Sequence, residues 1–343
     1  MKCPVCGMDC VSSAEELLAT VPGIFLPCSR CSIRMLDKRA PLADRSFLPP
    51  CPSCGKRFID EVFAQLYVIM VEEGDLLETD PLFAVGSPLI HPGFAVERPP
   101  FLPADSLVLL SKKVTKKTAE RMVAEVPEIR GVVKTGDFIP GLADADFNSV
   151  PRVYELLAGC DVRADIFPLP NGPLVIYKQQ SMIHIEFPRG NDPKIVSVAE
   201  HIGNPPVRSF VDACSGAGTL GLAAASLGVA RVVMNDAWYA SAFWSAFNLE
   251  INRGYFRVSR VRIFEQYADM QMHPVIREPL KIAEAEGDQV IQVYQGDFRL
   301  LHHVLPSPPA LTVIDLFDKK DKSANEAIIN EWKEKTGGEA YIP

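Results

Sequence analysis

Phe210-Val-Asp-Ala-Cys-Ser-Gly-Ala-Gly-Thr-Leu-Gly221, followed by an alanine-rich run, decides the fold. An apolar stretch ending in an acid, then a glycine turn, then good helix formers predict strand, loop and helix in succession. Gly216 and Gly218 let the backbone turn sharply and approach a ligand closely, because no Cβ intervenes. By itself, G-x-G-x-x-G suits NAD, FAD and S-adenosylmethionine (SAM) alike.

Three features favour SAM. Asp212 ends the strand, where a carboxylate suits the cationic amino group of a methionine moiety and repels a pyrophosphate. Arg231-Val-Val-Met-Asn-Asp236 predicts the next strand, ending in an acid able to accept both ribose hydroxyls. Val293-Tyr-Gln-Gly-Asp297-Phe298 ends a later strand with an acid for an adenine amino group and an aromatic for its ring. The expected cofactor contacts are Asp212, Ser215, Gly216, Gly218, Asp236, Ala237, Asp297 and Phe298. Asp236 and Asp297 also read, more blandly, as loop acids. From residue 191 strands and helices alternate, the mark of a parallel α/β sheet. The expected fold is a Rossmann-like α/β domain over 191–343.

Upstream, nine cysteines are unevenly spread, seven within the first 54 residues. Clustering in C-x-x-C pairs points to metal rather than disulfides. Cys3/Cys6, Cys28/Cys31 and Cys51/Cys54 are three such knuckles, each able to aim two thiolates at one tetrahedral ion. Cys28/Cys31 joins either neighbouring pair at zinc-ribbon spacing. One pair and Cys10 remain, so a second zinc lacks a ligand unless a histidine or another chain supplies it. An iron–sulfur cluster is the competing reading. The zinc is expected to be structural, since so short a module over 1–59 has little core of its own.

A helix is predicted over 60–73 and a proline-rich linker or wrapping segment up to 105. Residues 106–190 read as an α+β middle domain: a β-α-β start through Leu107–Leu110, Thr115–Val126 and Arg130–Lys134, then an antiparallel pair from Leu174–Tyr177 and Met182–Phe187. Lys112, Lys113, Lys116, Lys117 and Arg121 form a basic cluster, read first as a solvated helix face and second as an RNA contact. The net charge of −8 weighs against a broad basic surface for long nucleic acid. No run is long and apolar enough to span a membrane and the start lacks a signal-peptide core, so a cytoplasmic protein is expected.

Several segments occur in an order that resembles the archaeal and eukaryotic tRNA guanine-N1 methyltransferase family and its relative in wyosine synthesis, which transfers aminocarboxypropyl from SAM. They are Arg130–Gly136, Tyr154–Gly159, Ile183–Gly190, the Asp212 loop, Asn235-Asp236 and Phe247–Asn252. The match spans roughly 106–315. The resemblance implies a SAM-dependent transferase acting on RNA, tRNA in particular, with Arg189 near the active site and Asn248 and Asn252 closing a helix. Where the family has Asn-Leu-Pro, this chain has Asp315-Leu316-Phe317. The aspartate can still accept a hydrogen bond or act as base, in a loop reshaped by the missing proline. Asp315 is thus expected nearest the acceptor, with Asp318 and Arg189 behind it. The usual last helix and hairpin of the sheet have no residues here, so a shorter sheet or an oligomer covering its edge is expected. Methylation of a small molecule is the alternative. A non-catalytic SAM-binding and zinc-ribbon interaction protein is the third reading.

Overall fold

In the computed structural model, which describes residues 1–142, 151–203, 205–316 and 319–343, the first helix is α1 (Ala14–Thr20). The Ser13 hydroxyl accepts from the Glu16 amide while the Glu16 carboxylate accepts from the Ser13 amide, a reciprocal cap. Helix α2 (Ile59–Glu73) follows the apolar steps read over 60–73 and stops at Gly74, whose φ of 82° few other residues tolerate. The proline-rich stretch does more than connect. Ser87–Ile90 is β1, antiparallel to β2 (Leu107–Ser111) at the sheet edge, where Pro88 leaves no interior ladder bond unmade. Strand β2, helix α3 (Lys116–Glu125) and β3 (Ile129–Lys134) form the expected parallel unit, with the Thr115 hydroxyl accepting from the Thr118 amide. Strand β4 (Glu155–Gly159) completes the order β1-β2-β3-β4.

One pairing differs from expectation. Strand β6 (Leu174–Gln179) pairs antiparallel with β5 (Val162–Phe167), whereas residues 182–187 form no strand. The charges in Val-Arg-Ala-Asp-Ile-Phe167 conceal a strand buried along its whole length. Arg163 pairs with Asp165, and Lys178 on β6 lies 3.6 Å from the same carboxylate. Mutual pairing is what lets three such charges sit out of water.

The chain then enters the large sheet. Asp192 caps α4 (Pro193–Ile202), whose proline stands in the first turn where no amide is required. There follow β7 (Ser209–Asp212), α5 (Thr219–Ser226), β8 (Arg231–Asp236), α6 (Tyr239–Ile251), β9 (Val258–Ile263), β10 (Leu280–Gly287), β11 (Val290–Gln295), β12 (Leu311–Val313), α7 (Lys322–Thr336) and β13 (Glu339–Tyr341). The sheet order is β9-β10-β11-β8-β7-β12-β13. Five strands are parallel, as the alternation predicts, and β9–β10 adds an antiparallel ribbon on the β11 edge. That ribbon was not anticipated, because charges interrupt the apolar positions of both strands. Beyond β13 no further strand follows among the described residues. Strand order reverses at β7, and the crevice at the carboxyl end of such a reversal is where open α/β sheets bind ligands.

Two asparagines fasten β6 to this domain. Asn248 and Asn252, both buried on α6, bond the amides and carbonyls of Tyr177 and Val175 as a neighbouring strand would. Asn252 also ends α6, as expected. Val11, Ala14 and Leu17 pack into the same core as β5, β6, α5 and α6, while Phe25 joins the core between α2 and the β2–β3 unit.

Candidate active site

The crevice beyond β7 holds a cavity of about 340 Å³, a size suited to a small ligand. One half is built by the loops after β7, β8 and β11. The other is walled by β6, residues 183–186, α4 and the loop after β12.

The first half holds most of the expected cofactor residues. Asp212 is fully buried; its Oδ2 accepts from the Gly221 amide at 2.9 Å, while Oδ1 has no hydrogen-bond partner among the described residues. Burial, and then the nearby Asp315 carboxylate, push its carboxyl well above the usual range. An unmet buried acceptor costs about 1–3 kcal/mol, which a cationic ligand would recover. Gly216 (φ 54°) lies open to the cavity, with nothing within 4 Å of where a Cβ would stand. Gly221 serves packing instead, since a Cβ there would come within 2.4 Å of the Met234 side chain on β8. Asp236 accepts from the Gly216 amide through one oxygen and the Trp238 amide through the other, both at 2.9 Å. A carboxylate oxygen can accept from more than one donor, which is the property a ribose diol needs of this acid. Ser215 and Ala237 line the cavity beside it, and Ser245 ties down the loop by donating to the Gly216 carbonyl. Phe298 lines the far end. Asp297 turns to Arg299, 2.7 Å away, and lies outside the lining; Gly218 starts α5, also outside it. The donor set therefore fits SAM: an orphaned acid for an ammonium, a second acid for a ribose, and an aromatic face.

Asp315 lines the other half, as the sequence suggests, held between Lys194 and Lys319 at 2.6 Å each. It does not cap the next helix; Asp321 does. Arg189 is exposed and outside the lining, and Asp318 lies outside the described residues. Like Lys194 and Lys319, the ionisable side chains Lys178, His184 and Glu186 also line this wall and were missing from the sequence reading. Burial pushes the Glu186 carboxyl up, but Lys178, 3.1 Å away, and Lys194 outweigh it and hold the group below its ordinary value. Burial lowers the His184 pKa, favouring a neutral ring. The one signal in the sequence was for His184 and Glu186, at alternate positions within Ile183–Gly190; Lys178 had none.

The cysteines resolve into two quartets. Cys28, Cys31, Cys51 and Cys54 gather with every sulfur within 4.8 Å of the others, and so do Cys3, Cys6, Cys10 and Cys160. Cys28/Cys31 therefore partners Cys51/Cys54 and not Cys3/Cys6. Four of the five residues in the basic cluster are paired with acids: Lys112 with Asp137, Lys113 with Asp80, Lys117 with Glu73, and Arg121 with Glu72, Glu73 and Glu125. No helix among the described residues is long and apolar enough to cross a membrane.

No protein-family model and no curated protein matches the chain. Among solved structures it is similar to the M. jannaschii tRNA m1G37 methyltransferase, at 13% identity and a TM-score of 0.35, over 78% of this chain and 60% of that one. It is also similar to P. horikoshii TYW2 in complex with MeSAdo, at 16% identity and 0.37, over 70% and 68%. A complex of aTrm5 with tRNALeu gives 13% and 0.35, over 80% and 62%. The chain thus spans about 60% of the length of the first of these.

Proposed function

We propose that the protein transfers a methyl group from SAM to an RNA base, tRNA being the expected substrate. The observation that carries this reading is the orphaned, buried Asp212 oxygen beside the open Gly216 loop, with Asp236 and Phe298 on the same cavity. A carboxylate buried without a full set of partners is unfavourable in the free protein, and an ammonium group remedies it. When bound, SAM supplies a methyl carbon activated by its sulfonium. The chain's task is alignment and exclusion of water, with one group to take the acceptor's proton. Glu186 is assigned that proton, because it stays ionised and carries one ammonium partner, whereas both Asp315 oxygens are engaged by lysines. Asp315 orients the acceptor wall. RNA is supported by the order of the motifs and by a polar acceptor wall. The Cys28 quartet would hold a structural zinc, and thiols clustered in C-x-x-C pairs suit a cytoplasmic setting.

Incubating the protein with total RNA and methyl-labelled SAM tests this reading. Label in an RNA nucleoside is the expected result. The second reading, a small-molecule acceptor, is favoured by the ion pairs that neutralise the basic cluster; label confined to a small-molecule extract would support it. A parallel incubation with SAM labelled in its carboxyl carbon separates the two transfers: that label entering RNA, with the methyl label absent, would indicate aminocarboxypropyl transfer. No transfer to either fraction would refute the enzyme reading.

A further inference from the structure

The sequence leaves Cys3, Cys6 and Cys10 one ligand short, and the fold supplies it. Cys160 stands between β4 and β5, 150 residues along the chain from Cys10, with its sulfur 3.8 Å from that of Cys10 and 3.9 Å from that of Cys3. Cys6 and Cys10 are 3.4 Å apart. A zinc-class ion bound tetrahedrally by thiolates at about 2.3 Å sets neighbouring sulfurs about 3.8 Å apart. A disulfide draws two sulfurs to about 2.05 Å, and leaves nothing for the other pair. An iron–sulfur cube stands between its ligands and needs them further apart.

Two independent observations bear on the same ion. Cys3-Pro-Val-Cys6-Gly7 has the backbone of Cys51-Pro-Ser-Cys54-Gly55. In each the glycine amide donates to the first cysteine's carbonyl (2.9 and 2.8 Å), the glycine sits at φ 72° and 71°, and the first cysteine's amide bonds a residue just beyond (Met8 and Lys56, 2.9 Å each). Secondly, four thiolates around a divalent ion leave two negative charges, and the buried Arg130 guanidinium, paired through one nitrogen with Asp105 at 3.1 Å, donates through the other to the Cys10 carbonyl at 2.5 Å.

We propose that Cys3, Cys6, Cys10 and Cys160 bind a second, zinc-class ion that fastens the N-terminal segment to the β5–β6 hairpin. Each thiol gives up its proton on binding, so occupancy is lost toward acid pH. The hairpin carries Lys178 to the cavity wall, so the ion braces the acceptor half from behind. The site stands or falls independently of methyl transfer.

The test uses the whole chain purified under reducing conditions. Elemental analysis is expected to give about two zinc ions per chain. Alkylation mapped by mass spectrometry on the unmutated protein should find Cys3, Cys6, Cys10 and Cys160 protected, and reactive once a chelator has removed the metal. Cys160→Ser should lower zinc to about one ion per chain with the Cys28 quartet still protected. The unmutated footprint decides the matter even should that variant not fold. Alkylation of the Cys3 quartet at the same rate with and without chelator would overturn the proposal, as would iron and sulfide in place of zinc.

Discussion

The two halves of the cavity are built in opposite ways. The cofactor half comes from three loops, each directly following a parallel strand, and most of its contacts are backbone amides and short acids. The acceptor half is assembled from side chains far apart in sequence, such as Lys194 and Asp315 at 121 residues' separation, held by ion pairs rather than by backbone. Strand ends are precise scaffolds for binding, so a fold can keep one half constant while the other is respecified by a few charged residues. The halves should consequently respond differently to substitution.

The largest difference is expected at Glu186. Glu186→Gln keeps the shape and removes the proton acceptor, so single-turnover transfer should fall about 10²-fold or more while SAM affinity stays within about twofold. A comparable loss of SAM affinity would place Glu186 in the cofactor half and erase the division.

Asp212 probes the cofactor half through protons. Its carboxyl is raised by burial and by Asp315, so the free protein favours the protonated form and loses stability as pH rises from the ordinary carboxylate value through the raised one. An ammonium ligand favours the ionised form. Binding of SAM should therefore release a proton, and affinity should climb with pH across that same window. Calorimetry in two buffers of different ionisation heat reads this directly. Asp212→Asn should abolish the release and weaken binding about tenfold or more. Equal heats in both buffers for the unmutated protein would remove Asp212 from the ligand's ammonium site.

The smallest effect is expected at Asp315. Its oxygens already hold Lys194 and Lys319, and the carboxylate is partly exposed, so Asp315→Asn should slow transfer by less than about tenfold. A drop as large as that of Glu186→Gln would reassign the proton to Asp315.

This contrast also explains what the sequence disclosed. Asp212, Gly216, Asp236 and Phe298 lie next to strand ends in the chain, so adjacency in sequence is adjacency in the site. Strand β5 was hidden because Arg163 and Asp165 look like surface residues until Lys178 of the paired strand is beside them. Residues 182–187 looked like a strand because their alternation is real, yet it serves to present His184 and Glu186 to the cavity. The turn of Asp297 toward Arg299 is a choice between two plausible partners that spacing alone does not make. Cys160 was invisible as a ligand for the same reason as Lys194 was as a partner: only the closed topology brings either to its site.

SAM binding in the cofactor half is the property on which the rest of the site depends, and isothermal titration of the purified chain with SAM tests it directly. One site per chain is expected, with no binding of NAD, and Asp236→Ala should weaken SAM about 5- to 150-fold, the scale of about 1–3 kcal/mol for a pair of charge-assisted hydrogen bonds. Absence of SAM binding, or affinity unchanged in Asp236→Ala, would contradict it.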